Sequence, residues 1–77
     1  MQLHQLECVV LTHDIGEYGL KEGDLGAIVE LYDPDGIEVE FVTAAGRTQA
    51  LLTLRVSDVR KVGPSDMIAV RPVAPAA

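Results

Sequence analysis

The clearest pattern of apolar and polar positions lies in the middle of the chain, over residues 37–42. Ile37, Val39 and Phe41 alternate there with two glutamates and a valine, the period of two that a β-strand with one buried face requires. The preceding residues 33–36 read Asp-Pro-Asp-Gly, in which proline sets φ, aspartate bonds its own backbone and glycine accepts positive φ. This region therefore predicts a strand that begins directly after a tight turn.

Four other segments are rich in apolar and β-branched residues, and each is too short for a stable helix. With the segment above, the predicted strands cover residues 6–12, 25–32, 37–42, 47–54 and 60–62. A polar stretch with three glycines, residues 13–23, predicts a long loop after the first strand. Ala45 and Gly46 predict a tight hairpin connection. Residues 57–59 predict one helical turn capped by Ser57.

These elements predict an all-β fold: a small five-stranded SH3-like barrel with a short 3-10 turn before the last strand and an extended C-terminal tail. Gly63-Pro64 breaks the structure, so we expect the barrel over residues 1–62 and a proline-containing tail over residues 63–77. Strands one and four carry apolar residues on both faces, which leaves their inward face open. The side chains predicted to fill the barrel are Val9, Leu11, Ile28, Val39, Phe41, Leu52, Leu54 and Val59.

The charge of the chain is negative and unevenly distributed. The formal net charge is −6, made up of −9 over residues 1–46 (ten acids, one base) and +3 over residues 47–77 (five bases, two acids). Binding to a phosphate backbone needs clustered lysines and arginines, so we expect no nucleic-acid partner. The favoured interpretation is that the two halves pair across the sheet, and contacts between copies are the alternative.

The single cysteine bears on compartment and chemistry. Cys8 has no intrachain partner for a disulfide, and one cysteine excludes a cysteine-based zinc site. A small secreted domain normally depends on disulfides, so the pattern favours a reducing cytoplasm. The start of the chain has no basic segment followed by a long apolar run, and no apolar stretch is long enough to span a bilayer. At mid-strand, Cys8 itself is expected to be a buried, inert thiol.

No constellation of residues predicts catalysis. His13, Asp14 and Glu17 are close in the long loop, but a metal site needs three or four converging ligands, so solvated loop side chains are the favoured interpretation. Glu38 and Glu40 fall on one solvated strand face and not in an acid–base pair raised in pKa by burial. We therefore expect no catalytic residues, no metal or other cofactor, and no enzymatic activity.

Residues 17–29, read together with 39–41 and 46–48, resemble a bacterial family of very short SH3-like proteins known as a domain of unknown function. The resemblance covers roughly residues 6–62. It implies the SH3-like fold and brings no established activity. Residues 21–29 are also similar to KOW-type motifs and to the barrel of nitrile hydratase β subunits, through the turn that enters strand two. Read physically, the glycines of this turn allow a sharp bend and Asp24 caps it with its carboxylate.

The expected function follows from the surplus of apolar side chains on strands one and four. A barrel this small buries one face of each strand, so the second apolar face needs cover from the tail or from another protein. We expect a non-catalytic protein–protein interaction module that forms a homo-oligomer. Its predicted interaction surface comprises Leu51, Met67, Ile68 and Val70. A KOW-like nucleic-acid-binding module and an accessory barrel related to the nitrile hydratase β subunit are the alternatives.

Overall fold

The computed structural model describes residues 2–75 of the chain. Within them, the regular structure consists of five strands and two short 3-10 turns. The strands are β1 Cys8–Leu11, β2 Leu25–Tyr32, β3 Gly36–Val42, β4 Thr48–Arg55 and β5 Val59–Lys61. The 3-10 turns span Gly16–Tyr18, inside the first loop, and Val56–Asp58, directly before β5. The predicted all-β fold with a 3-10 turn before the last strand is therefore confirmed.

The five strands form one antiparallel sheet in the order β4-β3-β2-β1-β5. The first four strands are a simple meander, and the Val56–Asp58 turn sends the chain back so that β5 pairs with β1. Register shifts between Ile28 and Glu30 and between Phe41 and Val42 bend the sheet. These bends let a five-stranded sheet curl around its own apolar face and form the small SH3-like barrel.

Aliphatic side chains from every strand meet on the inner face of the curled sheet. The register places Val39 between Ile28 of β2 and Leu52 of β4, and Phe41 opposite Ala50. The small Ala50 side chain leaves room for the Phe41 ring, so both are buried. The largest fully buried side chains are Leu11, Ile28, Ile37, Val9 and Val39.

The structure shows which side chains of strands one and four point into the core. In β1, Val9 and Leu11 belong to the core cluster, while Cys8 lies on the other face and is exposed. In β4, Ala50 is buried, and Leu52 and Leu54 pack against the core cluster while remaining partly exposed. The core also takes up Leu20, which lies in the first loop and is 3% exposed.

Three local predictions need correction. Cys8 is exposed because β1 starts there, so the expected buried thiol is wrong. The turn before β5 is Val56–Asp58, and its cap is the Asp58 carboxylate, which accepts the Arg55 N–H at 2.8 Å, so Ser57 is not the capping residue. The last strand begins at Val59 and ends at Lys61, since Val59 pairs with Leu11 of β1.

Candidate interaction surface

The tail follows a path across its own barrel without joining the sheet. Residues 62–75 contain no strand or helix. A first anchor fixes the beginning of this segment: the Arg60 guanidinium donates two hydrogen bonds to the Asp66 carboxylate, at 2.8 and 3.0 Å. The same carboxylate accepts the Gly63 N–H at 2.6 Å. These contacts hold the pKa of Asp66 down at about 2, the Arg60 hydrogen bond being the main cause.

The second anchor is an ion pair between the tail and the turn that enters β2. Arg71 Nε donates to Asp24 Oδ1 at 2.9 Å, and a terminal nitrogen of Arg71 bonds Asp24 Oδ2. Arg71 also donates to the Gly19 carbonyl at 3.0 Å, and the Lys21 N–H donates to Asp24 at 2.8 Å. Partial burial alone raises the pKa of Asp24, but the hydrogen bonds from Arg71 and Lys21 outweigh it and hold that pKa below its ordinary value.

A third contact holds the far end of the tail. The Gln49 amide nitrogen, on β4, donates to the carbonyls of Tyr18 and Ala74, both at 2.9 Å. One side chain thus joins the sheet, the first loop and the tail. Between Asp66 of the first anchor and Arg71 of the second, no hydrogen bond of the described residues fixes the tail. Residues 67–70 therefore cross the surface between these two anchors.

Two grooves lie between residues 67–70 and the barrel. The larger, about 650 Å³, is lined by Leu25 and Val42 on the barrel side and by Ile68 and Val70 on the tail side. The smaller, about 270 Å³, is lined by Val10, Leu25 and Met67 among others. Val10 lies on the outer face of β1 yet is only 6% exposed. The tail therefore supplies part of the cover that the apolar outer face of strand one needs.

The four residues of the predicted interaction surface do not all lie together. Met67, Ile68 and Val70 form an apolar run on the tail, and they are 93%, 76% and 98% exposed. We call residues 67–70 the tail strip. Leu51 is half exposed on the outer face of β4, opposite Glu40, and does not line either groove. The structure thus brings three of the four together and leaves Leu51 separate.

Of the side chains considered as metal ligands in the first loop, His13 and Asp14 form hydrogen bonds with neighbouring protein groups. His13 Nε2 lies 2.8 Å from Asp58 Oδ1, and this hydrogen bond, with one to the Asp14 carbonyl, raises the pKa of His13. The Asp14 carboxylate accepts the Glu22 N–H at 2.8 Å. Within residues 2–75 no group of three or more histidine, cysteine or acidic side chains is placed to hold a metal ion.

Glu38 and Glu40, assigned to one solvated face, are half-buried and engaged with β4. Each accepts a hydrogen bond of 2.6 Å from a threonine hydroxyl, Glu38 from Thr53 and Glu40 from Thr48. Their role is to tie the two strands together on the outer face.

Sequence reasoning missed the side-chain contacts that hold the tail. Asp24 was correctly predicted to cap its turn, but its ion pair with Arg71 joins positions 47 residues apart. Gln49 carries no motif at all. The one available signal was Arg71 itself, a lone base within an otherwise apolar segment, because such a residue needs a partner when it lies against a protein surface.

Comparison with known proteins assigns the barrel to a family. Residues 5–61 match the family model described as a domain of unknown function (DUF4926). The chain belongs to this family. No curated protein and no solved structure matches it. The matched range includes Gly19 and Asp24 and ends at Lys61, the last residue of β5, so the tail lies beyond it. Between residues 2 and 75 no helix has the length and apolar character needed to cross a membrane.

Proposed function

We propose that this protein is a non-catalytic interaction module that self-associates through the tail strip. The observation that carries the proposal is the exposure of Met67, Ile68 and Val70, each more than three-quarters exposed although the segment is anchored at both ends. Exposure of an apolar run to water is unfavourable, and burial of the same side chains against a partner removes this free-energy cost.

The expected affinity depends on the free energy gained when the side chains of the tail strip are buried. Complete burial of one such side chain contributes about 1.5–3 kcal/mol, so the strips of two copies contribute roughly 9–18 kcal/mol when buried together. Association opposes this with about 4–15 kcal/mol of lost freedom, and burial in an interface is rarely complete. The two ranges overlap, so we expect only a weak complex, with a Kd in the range of about 1 µM to 1 mM.

A second copy suits this surface for a further reason. β4 is an edge strand of eight residues with no charged residue from Thr48 to Leu54 and no proline, so it lacks the usual protection against pairing with another chain. Leu51 is exposed along it. An extended apolar segment from another copy would supply both the missing backbone partners and a contact for Leu51.

Charge supports a protein partner over a nucleic acid. Of the five bases in residues 47–77, three are paired with carboxylates: Arg60 with Asp66, Lys61 with Glu7, and Arg71 with Asp24. Few bases are left to contact phosphates, and the net charge of −6 repels a phosphate backbone. The exposed thiol of Cys8 fits a reducing compartment, which supports a cytoplasmic location.

Light scattering on variants of the full chain tests the proposal. We expect the triple variant Met67→Ser, Ile68→Ser, Val70→Ser to have a lower average mass than the wild type at about 100 µM, within the range where weak complexes form. Leu6→Ser is the matched control, because Leu6 is also 75% exposed but lies outside both grooves. Equal masses for the wild type and the triple variant, or an equal loss in the control, would count against the tail strip.

A further inference from the structure

The contacts of Arg71 define a compact acceptor site on the barrel. The Asp24 carboxylate and the Gly19 carbonyl, which we call the cradle, receive the arginine through three hydrogen bonds. The Lys21 N–H also donates to this carboxylate, at 2.8 Å. A paired carboxylate and guanidinium have a matching planar geometry that lysine does not reproduce. The cradle is therefore selective for arginine.

Every barrel atom that receives Arg71 belongs to residues 19–24, within the part of the chain that matches the family. None of these contacts requires that the arginine come from the same chain. Between the anchors, Met67, Ile68 and Val70 are each more than three-quarters exposed, so the polar anchors do more than apolar packing to keep the tail on its own barrel. An identical tail from another copy would make the same contacts in the same geometry.

The tail is also long enough to cross to a neighbour. Nine residues separate Lys61, at the end of β5, from Arg71, so the chain makes ten Cα–Cα steps between them. When extended they reach at most about 33–36 Å, whereas the longest dimension of the molecule is 32 Å. The whole of this reach is available only when the Arg60–Asp66 anchor opens, because that anchor holds the chain from Gly63 to Asp66.

We propose that the cradle is a recognition site for an arginine carried on an extended segment, and that in the self-associated protein it receives Arg71 from the tail of a second copy. This inference rests on the proposed self-association and names the contact that specifies it. The Asp24–Arg71 pair fixes the register of the exchanged tail on its new barrel. In the single chain, the molecule's own tail occupies the cradle.

A labelled synthetic peptide with the sequence of residues 65–75 tests the cradle directly, by fluorescence anisotropy. The receptor is the full chain carrying Arg71→Ala, whose own tail no longer fills the site. We expect saturable binding, at least about tenfold weaker when the peptide carries Arg71→Ala or when the receptor also carries Asp24→Asn. The wild-type chain should bind the peptide more weakly than the Arg71→Ala chain, because its own tail competes.

The Asp24→Asn substitution is mild, since asparagine keeps an oxygen for the Lys21 N–H and loses the charge. If the circular dichroism spectrum is unchanged, a loss of peptide binding is due to the change in the cradle and not to unfolding. Equal binding with and without the Asp24 carboxylate, or no binding to the Arg71→Ala chain, overturns the proposal. If wild-type self-association survives Asp24→Asn but is lost in the tail-strip variant, the proposed function stands and tail exchange is refuted.

Discussion

Gly26 offers a sharp test of how the barrel is packed. A Cβ atom added at this position would lie 2.6 Å from Val39 Cγ1 and 2.8 Å from Phe41 Cε1. Favourable carbon–carbon contacts begin at about 3.5 Å, so both distances are deep in the repulsive range. Val39 is fully buried and Phe41 is 3% exposed, so both side chains belong to the packed core. We therefore expect Gly26→Ala to strain the core.

Two effects of opposite sign determine the magnitude. Overpacking a core by one methyl group costs about 1–3 kcal/mol. Alanine restricts the unfolded chain more than glycine does, which returns about 0.4–1 kcal/mol. Steric strain is the larger effect, so the free energy of unfolding should fall by about 1–2 kcal/mol. For a domain of this size that corresponds to a loss of roughly 5–15 °C in Tm.

Urea unfolding followed by circular dichroism measures this difference. Gly16→Ala is the matched control, because nothing lies within 4 Å of an added Cβ there and the backbone φ is not positive. It should change the free energy of unfolding by less than about 0.5 kcal/mol or stabilise slightly. The double variant Gly26→Ala, Val39→Ala should lose less stability than the sum of its single variants, because one substitution makes room for the other. A Gly26→Ala protein as stable as the wild type would refute this packing.

Two further predictions concern exposed groups. Cys8 is exposed at the start of β1, so native protein should react with Ellman's reagent at one thiol per chain without denaturant, and a reaction that requires urea would place the thiol inside. The pKa of Asp66, followed by NMR titration, should be about 2, and Arg60→Gln should raise it towards the ordinary value because the main hydrogen bond is lost. Since this pKa is lowered on folding, the associated stabilisation is present above the ordinary value of 3.8 and is lost as the pH falls towards 2. An Asp66 pKa that Arg60→Gln leaves unchanged would contradict the anchor.

The fold could be predicted because its signals are local. The alternation of residues 37–42 and the turn sequence before them specify β3 and its entry without reference to the rest of the chain. Leu20 could not be assigned to the core in the same way, because it lies in an aperiodic loop and is buried only when the isolated bridge between Ile15 and Leu20 brings that loop against the sheet. Asp58 was missed as a cap because the turn, predicted over residues 57–59, begins at Val56; this puts Asp58 at its third position, from which the carboxylate accepts the Arg55 N–H.

The site could be predicted only in part. The apolar character of Met67, Ile68 and Val70 is visible in the sequence, and their exposure makes them the candidate surface. Their anchoring depends on Arg71 meeting Asp24 across 47 residues, a contact that no periodicity or spacing encodes. Leu51 was grouped with the tail because both are surplus to a small core. The fold separates them, since Leu51 faces outward from an edge strand.

Sedimentation equilibrium of the unmodified chain tests the central claim, self-association, most directly. The mass of one chain is 8.3 kDa. Between about 1 µM and about 1 mM, the range of Kd expected for a weak complex, the average mass should rise with concentration above this value and towards twice it. A mass that stays at 8.3 kDa over the whole range would contradict the account.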